Sequence, residues 1–503
     1  MGSVPELAVS AVRVRAEQAL AAVLERLPAG PSVLRRTLDL EAEALRGAMT
    51  VAVAGMVSTG KSTLVNALLG ADLLATGFRP VTYVPALLLY GDLQTIRADR
   101  KVITIEELRA LSDRETAGPQ TGIRKFEIEG PWPALRWFDL IDTPGFGSAY
   151  DADDSRTLAE LVRADAVVAV LKTANLSADE AAVLRRFQAG EGARGPLSPI
   201  SCLGVLTMLE GRWQPETPEL DPLRVGERDA QQIMKQPEAA RLLLRVFPVC
   251  SMVGAAAATL DETDFGDLEE LSKAPVRVLL KSLITVEKFG GAELPVSSER
   301  RLALGHRFRP YGIHLACGLI RDGVDSVEQL RTELDARSGL PELRSLLVNH
   351  FGRRRDLLKV TRVVTRVSAL NTDDLSADAR ERFAVDSALR RVADLVRDDQ
   401  DLAEYEVLTR LYDGRLVVPE DLAQEFRRAA GEHGASVADR LNLTPSTPLA
   451  VLEATALDRL AASRDSLLVL DPHAVSVLRA IERRYELIVH RVRTARALLE
   501  DGI

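Results

Sequence analysis

Cysteine is scarce in this sequence: there are three among 503 residues, Cys202, Cys250 and Cys317, with no C-x-x-C pair. An odd number of widely spaced cysteines argues against a disulfide framework and a zinc site, and it favours a reducing compartment. Basic charge is not in excess either: the sequence has 64 lysines and arginines and 73 aspartates and glutamates, which gives a net charge of −9. The chain therefore lacks the general basic surface of nucleic-acid-binding proteins, and we expect no nucleic-acid partner.

Long apolar runs are also missing. No window contains 18 uncharged apolar residues, and the two nearest approaches, 81–90 and 198–209, have the length of buried strands. The N-terminus carries Glu6 and lacks a charged segment followed by an apolar one, so no secretory signal is recognisable. These absences predict a soluble cytoplasmic protein whose attachment to a membrane, if any, is peripheral.

The sequence does contain a complete phosphate-binding loop, G-x-x-x-x-G-K-[ST], over Gly55–Ser62. The apolar run Thr50–Ala54 predicts a strand before the loop, and Ser62–Leu69 predicts a helix after it. Backbone N–H groups and the helix N-terminus then converge on one anion. Lys61 is predicted to reach the β- and γ-phosphates of a nucleotide, and Ser62 to offer its hydroxyl to Mg²⁺.

Short β-rich runs alternate with helical ones from about Met49 to Cys250. This alternation predicts an α/β P-loop domain with a mostly parallel sheet and helices on both faces. Ser177 and Glu180 have the spacing of a capping box and predict the start of a helix. The predicted strands are Thr50–Ala54, Val84–Tyr90, Lys125–Glu129, Leu135–Ile141, Asp165–Leu171, Ser201–Leu206 and Arg245–Val249.

Asp142-Thr-Pro-Gly145 follows one of these strands, at the carboxyl edge where such sheets bind ligands. Asp142 is predicted to hold Mg²⁺, and the Gly145 amide to sense a γ-phosphate. D-x-P-G by itself is a common turn, but downstream of a complete phosphate loop it indicates a phosphate-hydrolysing switch domain. Thr82 lies between the two motifs and is the candidate switch threonine for Mg²⁺ and the γ-phosphate. The alternative is a loop threonine without a special role.

The string GMVSTGKST, followed by Thr82, DTPG and a long helical tail, resembles the dynamin superfamily of large GTPases. Ser58 matches the form G-x-x-S-x-G-K-S that this family favours. The resemblance implies GTP or GDP and Mg²⁺ as ligands, catalytic roles for Lys61, Ser58 and Thr82, and metal ligation by Ser62, Thr82 and Asp142. The nucleotide contacts that it implies are Gly55, Val57, Ser58, Thr59, Gly60, Lys61, Ser62, Thr63, Gly145, Thr207, Glu210, Cys250 and Ser251.

The resemblance extends more loosely to Phe308–Leu315 and Arg337–Arg344, which are similar to the neck-proximal region of bacterial dynamin-like proteins of the isoniazid-inducible branch. It implies N-terminal helices over 1–46 that join a neck bundle, a GTPase domain over 47–300, and an elongated helical neck and trunk over 301–503. It also implies self-association through the nucleotide domains, a trunk that contacts anionic lipid at the inner face of the cell membrane, and a dynamin-like protein as a candidate partner.

Two departures from the family pattern concern the chemistry. Thr207–Glu210 reads T-M-L-E where the base-reading motif N/T-K-x-D is expected, so guanine selectivity depends on the Glu210 carboxylate, unless this is a solvated loop acid. The backbone around Cys250 and Ser251 is the implied contact for the base oxygen. Val57 replaces a glutamine that helps to position the attacking water in eukaryotic dynamins. Because valine offers no donor or acceptor, we expect slow hydrolysis.

The C-terminal end carries a regular apolar seam, which predicts a long helix that packs against partner helices. We expect these partners to be the N-terminal helix and the helix through Leu357–Val367. The arginines on the other faces are either solvated or contact anionic headgroups or a protein. Leu411–Val418 is a candidate membrane-contacting loop, with a buried turn as the alternative. The seam residues are Leu478, Ile481, Tyr485, Ile488, Val492, Ala495 and Leu499.

Three functions remain compatible with the sequence. The first is a dynamin-like GTPase that acts on membranes from the cytoplasmic side. The second is a regulatory nucleotide switch or pseudo-enzyme that binds protein partners. The third is an ATPase, because 207–210 lacks the guanine-specific lysine. Helical segments on both sides of the nucleotide domain favour the first.

Overall fold

The structure is a computed structural model that describes residues 10–27, 33–76, 84–112, 122–146, 164–189, 199–368, 399–412, 414–432, 434, 436–466 and 472–500, with isolated positions between 383 and 394. The chain divides into two compact units. The sheet-containing unit comprises Thr50–Phe187 and Cys202–Ser345. The helical unit comprises Met1–Met49, Gln188–Ser201 and Leu346–Ile503.

In the part of the chain that the structure describes, nine strands form one sheet. They are β1 (Thr50–Ala54), β2 (Ala86–Tyr90), β3 (Thr95–Ala98), β4 (Lys101–Ile103), β5 (Phe126–Gly130), β6 (Asp139–Asp142), β7 (Ala166–Leu171), β8 (Cys202–Leu206) and β9 (Arg245–Pro248). Their order across the sheet is β4-β3-β5-β2-β6-β1-β7-β8-β9. β1 is parallel to both of its neighbours, and the pairs β7–β8, β8–β9 and β2–β5 are also parallel, whereas β2–β6, β3–β5 and β3–β4 are antiparallel. This confirms the predicted, mostly parallel sheet.

Two features of the sheet differ from the expectation. The β3–β4 hairpin was not predicted, because its strands have only four and three residues. The strand expected over Leu135–Ile141 begins only at Asp139, because Pro133–Arg136 forms a 3₁₀ turn with a proline in its first position. β7 is buried along its whole length, as expected of a parallel strand that is covered on both faces.

The helices are numbered in chain order, and the predicted start at Ser177 is confirmed by reciprocal hydrogen bonds between Ser177 and Glu180. A π-helix, Leu347–Gly352, lies between α14 and α15. The helices are α1 (Ala11–Arg26), α2 (Val33–Arg46), α3 (Lys61–Leu69), α4 (Ile105–Ser112), α5 (Ala178–Ala189), α6 (Pro222–Met234), α7 (Pro237–Leu242), α8 (Ser251–Thr259), α9 (Glu262–Ser272), α10 (Val276–Ser282), α11 (Val286–Gly291), α12 (Ser298–Arg321), α13 (Val327–Ala336), α14 (Leu340–Leu346), α15 (Arg355–Ser368), α16 (Gln400–Tyr412), α17 (Glu420–Ala429), α18 (Val437–Leu441), α19 (Leu449–Ser466) and α20 (Pro472–Glu500).

The division between the units differs from the expected boundary at residue 300, which falls inside the first turn of α12. α12 packs against α8, α9 and α11 of the sheet-containing unit, with Phe308 and Ile313 fully buried. Both stretches that the resemblance assigned to the neck, Phe308–Leu315 and Arg337–Arg344, therefore belong to the sheet-containing unit. An apolar helix face is stabilised wherever a complementary surface covers it, and helical periodicity alone does not identify that surface.

In the helical unit, α1, α2 and α15 share one apolar cluster, so the expected association of the N-terminal helix with the helix through Leu357–Val367 is present. The principal partners of α20 are α19, α17 and α16, which corrects the partner set that we expected for it. Its seam is buried from Leu478 to Val492, whereas Leu499 is 70% exposed. Among the described helices, none combines the length and apolar composition that a membrane crossing requires.

Three arginines of α20, Arg484, Arg493 and Arg496, and part of the stretch Leu411–Val418 make contacts within the helical unit. Arg493 and Arg496 both pair with Glu453, at 2.7 and 2.9 Å. In Leu411–Val418 the hydroxyl of Tyr412 donates to a Glu432 carboxylate oxygen, and Leu416 is buried. Val417 is 80% exposed. Leu416 therefore belongs to the interior of the helical unit and Val417 does not, and the membrane contact of this stretch stays a prediction.

Candidate nucleotide-binding site

The phosphate loop leaves β1 and enters α3 through two left-handed backbone conformations, which favour glycine. Gly60 has φ +86° and occupies the N-cap of α3, and Ser58 is also left-handed at φ +58°. A Cβ atom on Gly55 would lie 2.5 Å from the carbonyl oxygen of Val170, so a larger residue is excluded there. The N-terminus of α3 thus faces the loop, as an anion-binding loop requires.

Lys61 is the first residue of α3 and is buried. Its Nζ donates to the carbonyl oxygens of Gly55, at 3.2 Å, and Met56, at 2.9 Å. Burial lowers the pKa of Lys61 to about 8, and the negative charge of Asp142 opposes this shift. The ammonium group is therefore held across the loop, and anionic ligand oxygens beside it would favour its charged form.

Asp142 is the last residue of β6 and pairs in register with Val53 of β1, which places its carboxylate beside the loop. The hydroxyl of Ser62 donates to Oδ2 of Asp142 at 2.7 Å. Burial raises the pKa of Asp142 to about 6, although the Ser62 hydrogen bond and the charge of Lys61 both act in the opposite direction. The other carboxylate oxygen, Oδ1, is buried and accepts no hydrogen bond from any residue that the structure describes.

The Ser62–Asp142 pair fits a magnesium ion. Mg²⁺ prefers oxygen ligands and is usually held by one or two protein groups together with substrate phosphates and water. A hydroxyl beside a carboxylate with an unsatisfied oxygen supplies such a donor set. Elsewhere in the described part of the chain, no cluster of three or more His, Cys, Asp or Glu side chains has the arrangement of a metal site. The residues present therefore suit a metal that arrives with a nucleotide.

The DTPG segment is attached directly to the phosphate loop. The amide of Val57 donates to the carbonyl of Phe146 at 3.0 Å, and the amide of Phe146 donates to the carbonyl of Gly55 at 3.2 Å. A Cβ on Gly145 would lie 2.7 Å from the Cα of Val57, so the two backbones are in contact here. Thr143 adds a hydrogen bond from its hydroxyl to the carbonyl of Val53, at 2.7 Å.

On the side where a base would bind, Thr207 connects β8 to the loop, because its hydroxyl donates to the carbonyl of Thr59 at 2.6 Å. Met208 follows in a left-handed conformation, with its methyl group near Gly60. Glu210 is buried, which corrects the alternative of a solvated loop acid. Its Oε1 accepts the amide of Met252 at 2.7 Å, at the N-terminus of α8.

Burial raises the pKa of Glu210, and hydrogen bonds from backbone amides, including those of Met252 and Val253, oppose the shift. The amide of Cys250 donates to the carbonyl of Ser338 at 2.8 Å. The implied base contacts at Glu210 and Cys250 are thus engaged in internal hydrogen bonds, through one carboxylate oxygen and one amide. Ser251 begins α8 and is buried.

The sequence interpretation missed three residues on this side of the site. Ser338 accepts the Cys250 amide, and Gly339, at φ +76°, packs so closely that a Cβ would lie 2.7 Å from the carbonyl of Pro248. Arg309 has a left-handed φ of +61° within α12, and its charge acts on Glu210. In the sequence, the only local signals were the Ser338-Gly339 pair and the position of Arg309 directly before a proline.

Two predicted residues remain to be located. Thr63 is half-buried in the first turn of α3. Thr82, the candidate switch threonine, lies outside the described residues, and its role stays a prediction. The structure therefore brings together Lys61, Ser62 and Asp142, and it adds Thr207 as a link between the sheet and the loop.

A mostly parallel sheet with a phosphate loop and a DTPG turn at the carboxyl ends of its central strands defines a P-loop α/β domain. The Dynamin family model matches residues 51–209 of this chain. The chain is also 29% identical over 474 residues to the isoniazid-induced protein IniC of Mycobacterium tuberculosis, an alignment that covers 90% of this chain and 92% of that protein. The resemblance to bacterial dynamin-like proteins is confirmed.

Two further similarities are more limited. Dynamin-like protein 2 of Campylobacter jejuni is 35% identical over 118 residues, which is 22% of this chain and 19% of that protein. A solved structure of an oligomerised bacterial dynamin pair aligns at a TM-score of 0.33 with 14% identity, and covers 99% of this chain and 93% of its own. This TM-score is too low to support any inference about fold or function.

Proposed function

We propose that this chain binds GTP together with Mg²⁺, hydrolyses it slowly, and couples this cycle to membrane binding and remodelling at the cytoplasmic face of the membrane. The observation that carries the proposal is the pair of buried charges, Lys61 and Asp142, with the half-buried Ser62 bonded to Asp142. Among the described residues, one oxygen of Asp142 receives no hydrogen bond, and the ammonium of Lys61 contacts two backbone carbonyls; a metal-bound triphosphate would place a cation beside the first and negative charge beside the second. The similarity to dynamin-like GTPases supports the choice of substrate.

Each residue has a defined part in this proposal. Ser62 and Asp142 would hold Mg²⁺, which supplies positive charge to the phosphate oxygens when it is bound. Lys61 places its ammonium where negative charge develops during phosphoryl transfer, and the Gly145 amide senses the γ-phosphate. The side chain of Val57 carries no donor or acceptor for a water molecule. We therefore expect low turnover in the monomer, with Ser58 or backbone groups orienting the nucleophile.

Nucleotide turnover tests the enzymatic half of the proposal. Lys61→Ala should abolish nucleotide binding, whereas Thr82→Ala should leave binding intact and lower turnover. Lys273→Ala, which removes an exposed lysine directly after α9, is the control and should change neither. Unchanged hydrolysis in both site variants would refute the assigned roles. GTP and ATP should be compared over a range of protein concentration, because self-association through nucleotide domains is expected to raise the rate.

A nucleotide hydrolase with relaxed base selectivity is the second candidate. It is favoured by the internal hydrogen bonds of Glu210 and of the Cys250 amide, and by the absence of a lysine at Met208. ATP that binds as tightly as GTP would establish this alternative and reject the guanine assignment.

Co-sedimentation with vesicles tests the membrane half of the proposal. We expect the full chain to pellet with anionic vesicles in at least one nucleotide state. If the chain hydrolyses GTP but never pellets with vesicles, the membrane role is rejected, and a regulatory switch that binds proteins becomes the favoured function.

A further inference from the structure

Lys172 is the first residue after β7. In the sheet, β7 lies between β1, which leads into the phosphate loop, and β8, which leads into Thr207–Glu210. All three strands are parallel, so the carboxyl end of β7 lies at the ligand-binding edge, between these two segments. The topology therefore brings a lysine to the boundary between the phosphate-binding and base-binding parts of the site.

Backbone contacts fix the position of Lys172 relative to both segments. The register of the sheet pairs Leu171 with Leu206, and the amide of Thr207 donates to the carbonyl of Leu171 at 2.9 Å. The hydroxyl of Thr207 lies 3.2 Å from the same carbonyl and donates to the carbonyl of Thr59 at 2.6 Å. Lys172 thus leaves the sheet beside a hydrogen-bonded junction between the base segment and the phosphate loop.

Met208 occupies the position of the lysine in a base-reading motif. Its terminal methyl group would lie 3.8 Å from a Cβ atom on Gly60, so the side chain extends over the phosphate loop, and it is 37% exposed. A thioether offers apolar contact but no hydrogen-bond donor. The ligand-binding edge therefore has no cation at position 208, whereas Lys172 supplies one at the end of the neighbouring strand.

The ammonium group of Lys172 is available to a ligand. Its side chain is exposed, and no hydrogen bond or ion pair joins it to another described residue. Lysine carries its charge on a flexible four-carbon stem, so the ammonium can turn toward a base bound over Thr207. Arg212, which follows Glu210 in the same segment, is already paired with Asp229. Of these two cations, Lys172 is the one that remains available.

An ammonium group at this place distinguishes guanine from adenine. Guanine presents two acceptors, O6 and N7, on one edge, whereas adenine presents the N6 amino donor beside N7. Lysine donates hydrogen bonds and accepts none, so it favours the guanine edge. The Glu210 carboxylate, which only accepts hydrogen bonds when it is ionised, matches the N1 and N2 donors on the other side of the same base.

We propose that Lys172 is a specificity-determining residue whose ammonium donates to O6 and N7 of a bound guanine, in place of the lysine that Met208 replaces. This inference rests on the proposed function, because it requires a nucleotide in the phosphate loop. A cation delivered from β7 preserves guanine selectivity in a chain whose base segment reads T-M-L-E.

Calorimetric titration of the full chain with GDP and ADP in the presence of Mg²⁺ tests this proposal, because diphosphates are not consumed during the measurement. Lys172→Met removes the ammonium and keeps most of the side-chain length. It should weaken GDP binding at least about tenfold and leave ADP binding within about twofold. The analogue 7-deaza-GDP lacks the N7 acceptor, so it should bind the wild type more weakly than GDP but bind Lys172→Met as well as GDP does.

Lys101→Met is the matched control. Lys101 is an exposed lysine of β4, the outermost strand of the same sheet, and five strands separate β4 from β7. This variant should change the affinity for neither nucleotide. The double variant Lys172→Met/Met208→Lys returns an ammonium to the base segment and should recover the preference for GDP. All substituted positions are exposed, and far-UV circular dichroism verifies that each variant folds.

The outcomes separate this inference from the proposed function. Equal losses of GDP and ADP affinity in Lys172→Met would show that Lys172 attracts phosphate groups without contacting the base, and would overturn the inference. Unchanged affinity for GDP would overturn it as well. A wild type that binds GDP and ADP equally tightly rejects it together with the guanine assignment, but leaves nucleotide binding intact. A wild type that binds neither nucleotide refutes the proposed function itself.

Discussion

The carboxylate of Asp142 is fully buried, with one oxygen bonded to Ser62 and the other without a hydrogen-bond donor among the described residues. Replacement by asparagine keeps the shape and an acceptor for Ser62 but removes the buried charge. Because function requires this charge only when a metal-bound nucleotide is present, Asp142→Asn should abolish GTP hydrolysis and yet raise the stability of the free protein.

The size of the effect follows from the pKa. The pKa of Asp142 is raised from 3.8 to about 6, and each unit corresponds to about 1.4 kcal/mol. The folded protein therefore binds more protons than the unfolded chain between about pH 4 and pH 6, and its stability falls as the pH rises through this window. Above it the cost is constant at about 3 kcal/mol, a net value that already includes the attraction to Lys61 and the Ser62 hydrogen bond, and this is the gain that we expect from asparagine.

Tryptophan fluorescence provides a selective assay. All three tryptophans, Trp132, Trp137 and Trp213, belong to the sheet-containing unit, so their emission during urea unfolding reports on the unit that contains Asp142. Asp142→Asn should raise the urea midpoint at about pH 8 and lose this advantage at about pH 4. Asp165→Asn is the control, because Asp165 is buried but accepts the amide of Thr50 at 2.9 Å. Asp165→Asn should not raise the urea midpoint at either pH. A midpoint for Asp142→Asn that equals the wild type at both pH values would refute the reasoning.

Three further predictions concern packing and hydrogen bonds. Gly145→Ala places a methyl group 2.7 Å from the Cα of Val57, so nucleotide affinity, measured with a fluorescent GDP analogue, should fall more than about tenfold and stability by about 1–3 kcal/mol. Thr207→Val removes the hydrogen bond to the loop carbonyl at 2.6 Å; we expect a loss of about 1–3 kcal/mol in urea unfolding and weaker nucleotide binding. Arg366→Leu removes the charge that pairs with the buried carboxylate of Glu41 and should destabilise the helical unit by about 3–5 kcal/mol, measured by far-UV circular dichroism.

The features that sequence reasoning predicted best are those with local physical causes. β1 was predicted with its observed bounds because a short apolar run before a glycine loop has few alternatives to a buried strand. The capping box at Ser177 involves residues only three positions apart, so its hydrogen bonds depend little on the rest of the chain. The proximity of Asp142 to the phosphate loop followed from a general rule, since the carboxyl ends of neighbouring parallel strands meet at one edge.

The features that sequence reasoning missed depend on which helix and sheet surfaces pack against each other in the folded chain. The periodicity of α20 predicted a buried face but not its partners, because α1 and α19 offer similar apolar stripes. In the same way, Phe308–Leu315 contains no signal that it packs within the sheet-containing unit. The burial of Glu210 required the N-terminus of α8 to arrive beside it, and Glu210 and Met252 are 42 positions apart in the chain.

The sequence by itself determined the phosphate loop, the DTPG turn, the positions of most main strands along the chain and the helical character of the C-terminal half, because hydrogen bonds and side-chain periodicity within a few residues specify them. Only the tertiary structure decided the desolvation of Lys61 and Asp142 and the internal hydrogen bonds on the base side. These properties depend on what surrounds each charge, and residues that are distant in the chain provide those surroundings.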